Sequence, residues 1–272
     1  MKDYCIELVS RQTGFNAKLN TMREYLQAYA LRVLHEEGMF RYAAFLGGTA
    51  LRFLYGLPRF SEDLGFSLAK NERSFSFINS AKKVKDEFLA SGYNVSAVYN
   101  EEKTVQNVFL KFEGLMYEAG LSPLKKQNLS IKIEIDTNPP DGADTQTQIV
   151  NKYFPISFLS YNINSLFAGK LHAILCRKYT KGRDLFDLGW YLSKWKDLTP
   201  NFTLLKNALI QTGWGREFPT ADNWRNILFD VVRKLDWEKA EKDVKSFLEN
   251  PSDMDILSKE NILKLISANN RF

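Results

Sequence analysis

One stretch fixes more about this fold than any other. Residues 129–136 read Leu-Ser-Ile-Lys-Ile-Glu-Ile-Asp, a strict two-residue alternation. Side chains of a strand point alternately to opposite faces, so Ile131, Ile133 and Ile135 face one way, and Lys132, Glu134 and Asp136 the other. The run Thr137-Asn138-Pro139-Pro140-Asp141-Gly142 breaks it. Shorter strands are predicted at 42–46, 64–68, 93–99 and 108–112, and helices at 16–37 and 75–90. After Ser160 the period becomes helical almost to the end, with helices expected near 163–177, 183–195, 202–212, 222–235, 237–248 and 256–268. A strand-rich part followed by a helical part predicts an α+β protein. Its expected division is a core over 1–158 and a helical C-terminal subdomain over 159–272.

At 272 residues, 44% hydrophobic and 25% charged, the chain can bury a sizeable core. Its formal charge of +5 is compatible with nucleic acid without demanding it. Cys5 and Cys176 lie far apart, and His35 and His172 are too few for a His-based zinc site. The start Met1-Lys2-Asp3 has no apolar signal region and no stretch approaches a membrane span, so a cytoplasmic protein without membrane contact is expected.

The chemistry concentrates in 46–68, LGGTALRFLYGLPRFSEDLGFSL. A strand entering Gly47-Gly48-Thr49 and then a helix makes an anion site. Glycine lets the backbone approach a phosphate, and the first amides of a helix point at it with a favourable dipole. Asp63 follows fifteen residues after Gly48, at the start of the next strand. A carboxylate beside a triphosphate cradle is where a divalent cation would sit.

These residues resemble the AbiEii/AbiGii-type toxins, a family within the polymerase-β-like nucleotidyltransferases. The resemblance runs over Gly47-Gly48-Thr49-Ala50-Leu51, Gly56, Arg59-Phe60-Ser61-Glu62-Asp63 and Leu64. It implies a mixed sheet with flanking helices, with the helical subdomain completing the active-site cleft. It also implies that Gly47, Gly48, Thr49 and Ser61 bind nucleotide and that Asp63 holds Mg²⁺. A third carboxylate comes from a neighbouring strand in that superfamily, and Glu134 is the candidate here. Alone, Lys132, Glu134 and Asp136 would read as a solvated strand face.

One position departs from the pattern. The family carries a second Asp two residues after the first, and this chain has Gly65. Alternation sets 63 and 65 side by side, so the missing carboxylate is a missing metal ligand. Three readings stay open: a deliberately disarmed chain, a natural inactive relative, or an active variant using another ligand. Expression of a toxin selects for the first.

A second segment, LFAGKLHAILCRKYTKGRDLFDLGWYL over 166–192, places Lys170 at the edge of a buried helical stripe of Phe167, Leu171, Ile174 and Leu175. From the residues alone, such a lysine either snorkels or reaches into a cleft. The same family shows a Lys here and an Arg-Asp-x-x-Asp after it, matched by Arg183-Asp184-Leu185-Phe186-Asp187. That implies Lys170 on the nucleotide phosphates, with Asp184 and Asp187 organising the site. Carboxylates early in a helix also suit its dipole without any catalytic role. Arg177, Lys178, Lys181 and Arg183 form a basic cluster suited either to an RNA backbone or to a solvated turn.

The resemblance therefore implies a Mg²⁺-dependent nucleotidyltransferase toxin of a toxin–antitoxin system. It would move a nucleoside monophosphate from an NTP to an acceptor, with a tRNA 3′ end preferred and a protein hydroxyl second. An operon-paired antitoxin follows, and it need not touch the toxin. The competing expectation is a non-catalytic nucleotide- or RNA-binding module that has lost its metal site.

Overall fold

The structure, a computed structural model, describes residues 1–69 and 75–268. It divides into two compact units: 1–56, 60–139 and 147–160 form the first, and 57–59, 140–146 and 161–272 the second. In chain order the first part holds α1 (Lys2–Ser10), α2 (Phe15–Glu36), β1 (Ala43–Leu46), α3 (Gly47–Tyr55), β2 (Asp63–Leu68), α4 (Phe77–Ala90), β3 (Val95–Asn100) and β4 (Val105–Glu113). Then come α5 (Leu115–Glu118), β5 (Asn128–Asp136), β6 (Thr145–Asn151) and β7 (Pro155–Tyr161). The rest is helical: α6 (Ile163–Cys176), α7 (Gly182–Lys194), α8 (Phe202–Gln211), α9 (Trp224–Val232), α10 (Trp237–Lys245) and α11 (Lys259–Ser267).

The seven strands make one mixed sheet in the order β3-β4-β5-β2-β1-β7-β6. β2 runs antiparallel to β1 and parallel to β5, while β5 runs antiparallel to β4. The alternation read from β5 is the sheet's inner face: Ile131, Ile133 and Ile135 are fully buried, facing the same way as Val108, Leu110 and Phe112 of β4. α2 and α4 cover that face, and Phe88 of α4 meets Phe112 edge-on with ring centroids 4.8 Å apart. The opposite face of β2 and β5 carries Asp63, Gly65, Lys132 and Glu134, all exposed or half-buried. Burying one face of a sheet is what pins its register, because a one-residue slip would exchange these two sets.

In the helical unit α7 is the central element, touching α6, α10 and α11. Its first residue, Gly182, lies against the backbone of α10, and a Cβ there would stand 1.8 Å from the Ala240 carbonyl oxygen. No side chain fits that gap without moving α10. Gly182→Ala is therefore expected to lower stability by about 3 kcal/mol, read as a drop in the urea midpoint at unchanged m-value. A loss below about 0.5 kcal/mol, the scale of an ordinary surface substitution, would mean that the helices separate freely. No helix among the described residues is long and apolar enough to cross a membrane.

Candidate active site

In the sheet unit the site begins where β1 ends. Gly47 has φ +86°, a left-handed conformation that other residues adopt only under strain. A Cβ there would touch nothing within 4 Å, so the backbone angle alone calls for glycine. That turn sends the chain straight into α3, whose N-cap, Leu46, makes no side-chain capping bond. The N-cap side chain therefore supplies no cap to the first amides of α3, as suits an anion-binding helix start. Gly48 is half-buried in this first turn.

Thr49 is 1% exposed, and its hydroxyl donates to the Asp63 carbonyl at 2.5 Å. That bond ties the start of α3 to the start of β2, so what Thr49 can offer an anion is its backbone amide. Gln27 of α2 donates to the Ser61 carbonyl at 3.1 Å and holds the approach to β2. α3 itself is anchored through Arg52, a buried cation ion-paired with Glu24 of α2 and lying 3.9 Å over the Phe60 ring. Glu24 also accepts from Lys152 and from the Tyr153 hydroxyl, each at 3.0 Å. Burial would raise the Glu24 carboxyl, but Arg52 and then Lys152 hold it below its ordinary value. Sequence reasoning passed over this clamp; an arginine inside the apolar run Ala50–Phe53 was its only signal.

The β2–β5 register settles where position 65 lies. Asp63 pairs with Lys132 and Gly65 with Glu134, and parallel partners share a face. Gly65 therefore stands directly across from Glu134 and one side chain along from Asp63. A Cβ at 65 would meet Leu46 at 3.4–3.5 Å, ordinary contact, and no left-handed angle is required there. Nothing in the fold demands glycine at this position.

A divalent cation at this place would have Asp63 and Glu134 as donors. The Glu134 carboxylate already accepts an ion pair from Lys132. Among the described residues no group of three or more His, Cys, Asp and Glu side chains is placed to hold a metal ion. The donor set present is short of one carboxylate, and part of what remains is neutralised, so the chain as written does not fit a firmly held divalent ion.

The helical unit holds a chain of buried charges. Arg59 is 2% exposed and grips Asp187 with two bonds, Nε to Oδ1 and Nη2 to Oδ2, both 2.6 Å. Lys170 reaches Asp187 at 2.6 Å and Asp184 at 3.1 Å, and Arg177 reaches Asp184 at 2.9 Å. Three cations around two carboxylates leave this cluster formally positive. Nearby, burial and then the Arg183 guanidinium push the Lys181 ammonium below its ordinary value. Sequence reasoning placed Asp184 and Asp187 correctly on α7 but missed that Arg59 is the partner of Asp187. Lys170 neither snorkels nor stands unpaired: two carboxylates hold it.

Burial alone would raise the Asp184 carboxyl, but Lys170 and then Arg177 outweigh it and hold it below its ordinary value of 3.8. A depressed carboxylate contributes stability that is present above its unfolded pKa and lost as the pH falls through the folded one. Unfolding followed from pH 6 down to pH 2 is thus expected to show a stability loss setting in below about pH 4. Asp184→Asn should flatten that loss. An unchanged acid profile in the variant would assign the dependence to other carboxylates.

Residues 29–259 match the family described as the nucleotidyl transferase AbiEii toxin of type IV toxin–antitoxin systems. The chain belongs to that family. Solved structures with the same fold include the nucleotidyltransferase toxin MenT4 of Mycobacterium tuberculosis. It is 14% identical with a TM-score of 0.62, over 100% of this chain and 90% of that one. Another is JHP933 of Helicobacter pylori, 20% identical with a TM-score of 0.54, over 90% and 88% of the two chains. No curated protein sequence matches significantly. The AbiEii match spans both the Gly47–Asp63 segment and the Lys170–Asp187 segment, and nucleotidyl transfer is the activity class of this family.

Proposed function

We propose that this AbiEii-family chain derives from a toxin that transfers a nucleoside monophosphate from an NTP to an RNA 3′ end, tRNA foremost. We further propose that Gly65 leaves this particular chain nearly inactive. In the transfer, the RNA 3′ oxygen bonds to the α-phosphorus and the α–β phosphoanhydride bond breaks. Pyrophosphate leaves and the hydroxyl proton goes to solvent. The Gly47 turn and the start of α3 offer backbone amides to the triphosphate. Within the helical unit, Asp184 and Asp187 fix where the Lys170 ammonium stands, and the formally positive charge of that cluster suits it to phosphate. Mg²⁺ is the cofactor implied by the resemblance, with Asp63 and Glu134 as its donors once a carboxylate at 65 joins them. An antitoxin encoded alongside is the expected partner.

The observation that carries this reading is the register at Gly65: across from Glu134, beside Asp63, with room for a side chain. The test is pyrophosphate release and label transfer with each NTP and total RNA, comparing the chain as written with Gly65→Asp. The second reading, a nucleotide- or RNA-binding module without turnover, draws on the Lys132–Glu134 ion pair, which occupies one of the two remaining carboxylates. Inactivity of both proteins toward every NTP and RNA would favour it.

A further inference from the structure

A cavity of about 430 Å³ opens beside Asp63 in the sheet unit. That volume suits one small organic group, the usual range being about 300–1,000 Å³. Two of its walls are rings that the core does not use: Phe15 at the start of α2, 53% exposed, and Phe109 of β4, 38% exposed. Lys132 lines it between Phe109 and Asp63, because these three are register partners across β4, β5 and β2. Its Nζ stands 6.0 Å from the Phe109 ring centroid. Gln127 and Asn128 add side-chain amides to the lining, the Gln127 oxygen already accepting from the Ser122 hydroxyl. Part-exposed rings, a cation over one of them and amides in the lining match an unstacked nucleobase, which is held by stacking and read by hydrogen bonds.

Its place in the sheet says which nucleotide. The order β4-β5-β2-β1 puts the cavity on the β5–β4 flank of Asp63 and the Gly47 turn, reached through β1, on the other flank. Strands lie about 4.8 Å apart, so cavity and turn are neighbours on opposite sides of one carboxylate. In an in-line displacement the attacking oxygen approaches from the side opposite the leaving group. With the leaving pyrophosphate at the turn, the β4 flank belongs to the acceptor.

We infer that this cavity seats the 3′-terminal nucleoside of the acceptor RNA, its base against Phe109 and Phe15 and its 3′ hydroxyl toward Asp63. The inference rests on the nucleotidyl-transfer reading above. It says which residues select the acceptor, and it separates an RNA from a protein substrate.

The test is a binding measurement on the full chain without NTP, using the fluorescence anisotropy of a short single-stranded RNA labelled at its 5′ end. Phe109→Ala should weaken binding about tenfold or more, the scale of one lost base–aromatic stack, and adding Phe15→Ala should weaken it further. NTP affinity should stay unchanged in both. The same RNA ending in a 3′ phosphate should bind less well than the 3′-hydroxyl form, since Glu62 and Asp63 also line the cavity and repel added negative charge. RNA affinity unchanged in a folded double variant, or no RNA binding by the chain as written, would overturn the inference. A fall in NTP affinity instead would give the cavity to the incoming nucleotide and overturn it too. If Gly65→Asp transfers label to RNA equally well with and without both phenylalanines, this inference fails while the function stands. If RNA binding depends on them but no form transfers label, the transfer reading fails instead.

Discussion

Gly65→Asp is expected to raise label transfer from NTP to RNA by about a hundredfold or more over the chain as written, the scale on which regained alignment acts. Expression of that variant should also inhibit growth. The side chain has room, since a Cβ at 65 meets Leu46 at ordinary contact distance and needs no unusual backbone angle. It would arrive across from Glu134 and beside Asp63, giving three carboxylates on one face of two adjacent strands. The added charge also competes for Lys132, which now neutralises Glu134. Gly65→Asn is the control: it matches the shape of Asp without its charge, so it should restore far less. The gain of Gly65→Asp should vanish when divalent ions are chelated. Equal turnover by the chain as written and by Gly65→Asp would show that another residue completes the site.

The part of this arrangement that is legible in the sequence is the part built locally. The Gly47 turn, α3 and the carboxylate opening β2 follow one another within a few turns of chain, and each has its own signal in glycine, period or charge. β5 is readable because its inner face is wholly buried, which forces strict alternation. β6, Thr-Gln-Thr-Gln-Ile-Val-Asn, was not foreseen. It is the edge of the sheet and buries no residue fully, so no apolar period marks it. α1 and β7 have no counterpart among the predicted elements either: α1 buries only Cys5 and Val9, and β7 carries the buried polar Ser160 beside Ile156 and Phe158, which blurs its apolar period. Pairing is harder still to read. That Gly65 faces Glu134 depends on β2 lying next to β5, with α4, β3, β4 and α5 between them in sequence. The second departure from expectation has the same cause: Lys170 reads as a cation at the edge of an apolar stripe, while its two carboxylate partners come from the next helix.

Asp187→Ala is expected to cost about 3–5 kcal/mol, the range for removing one partner of a buried ion pair. Against a typical total of about 5–15 kcal/mol, that is at least about a fifth of the protein's stability. The cause is what stays behind. Arg59 is 2% exposed, and both of its bonds to Asp187 run from atoms that water does not reach in its place. Lys170 would lose its shorter contact at 2.6 Å and keep only Asp184 at 3.1 Å. The cluster would change from three cations around two carboxylates to three around one. Asp187→Asn should cost less, because its amide oxygen still accepts from Arg59. The paired change Arg59→Met with Asp187→Leu should recover most of the loss, since an apolar pair of similar volume carries no desolvation cost. Urea denaturation of the three variants decides the matter. A loss below about 1 kcal/mol for Asp187→Ala, the range of an exposed pair, would show that the carboxylate is solvated. It would then be available to act on substrate rather than committed to holding Arg59 and Lys170 in place.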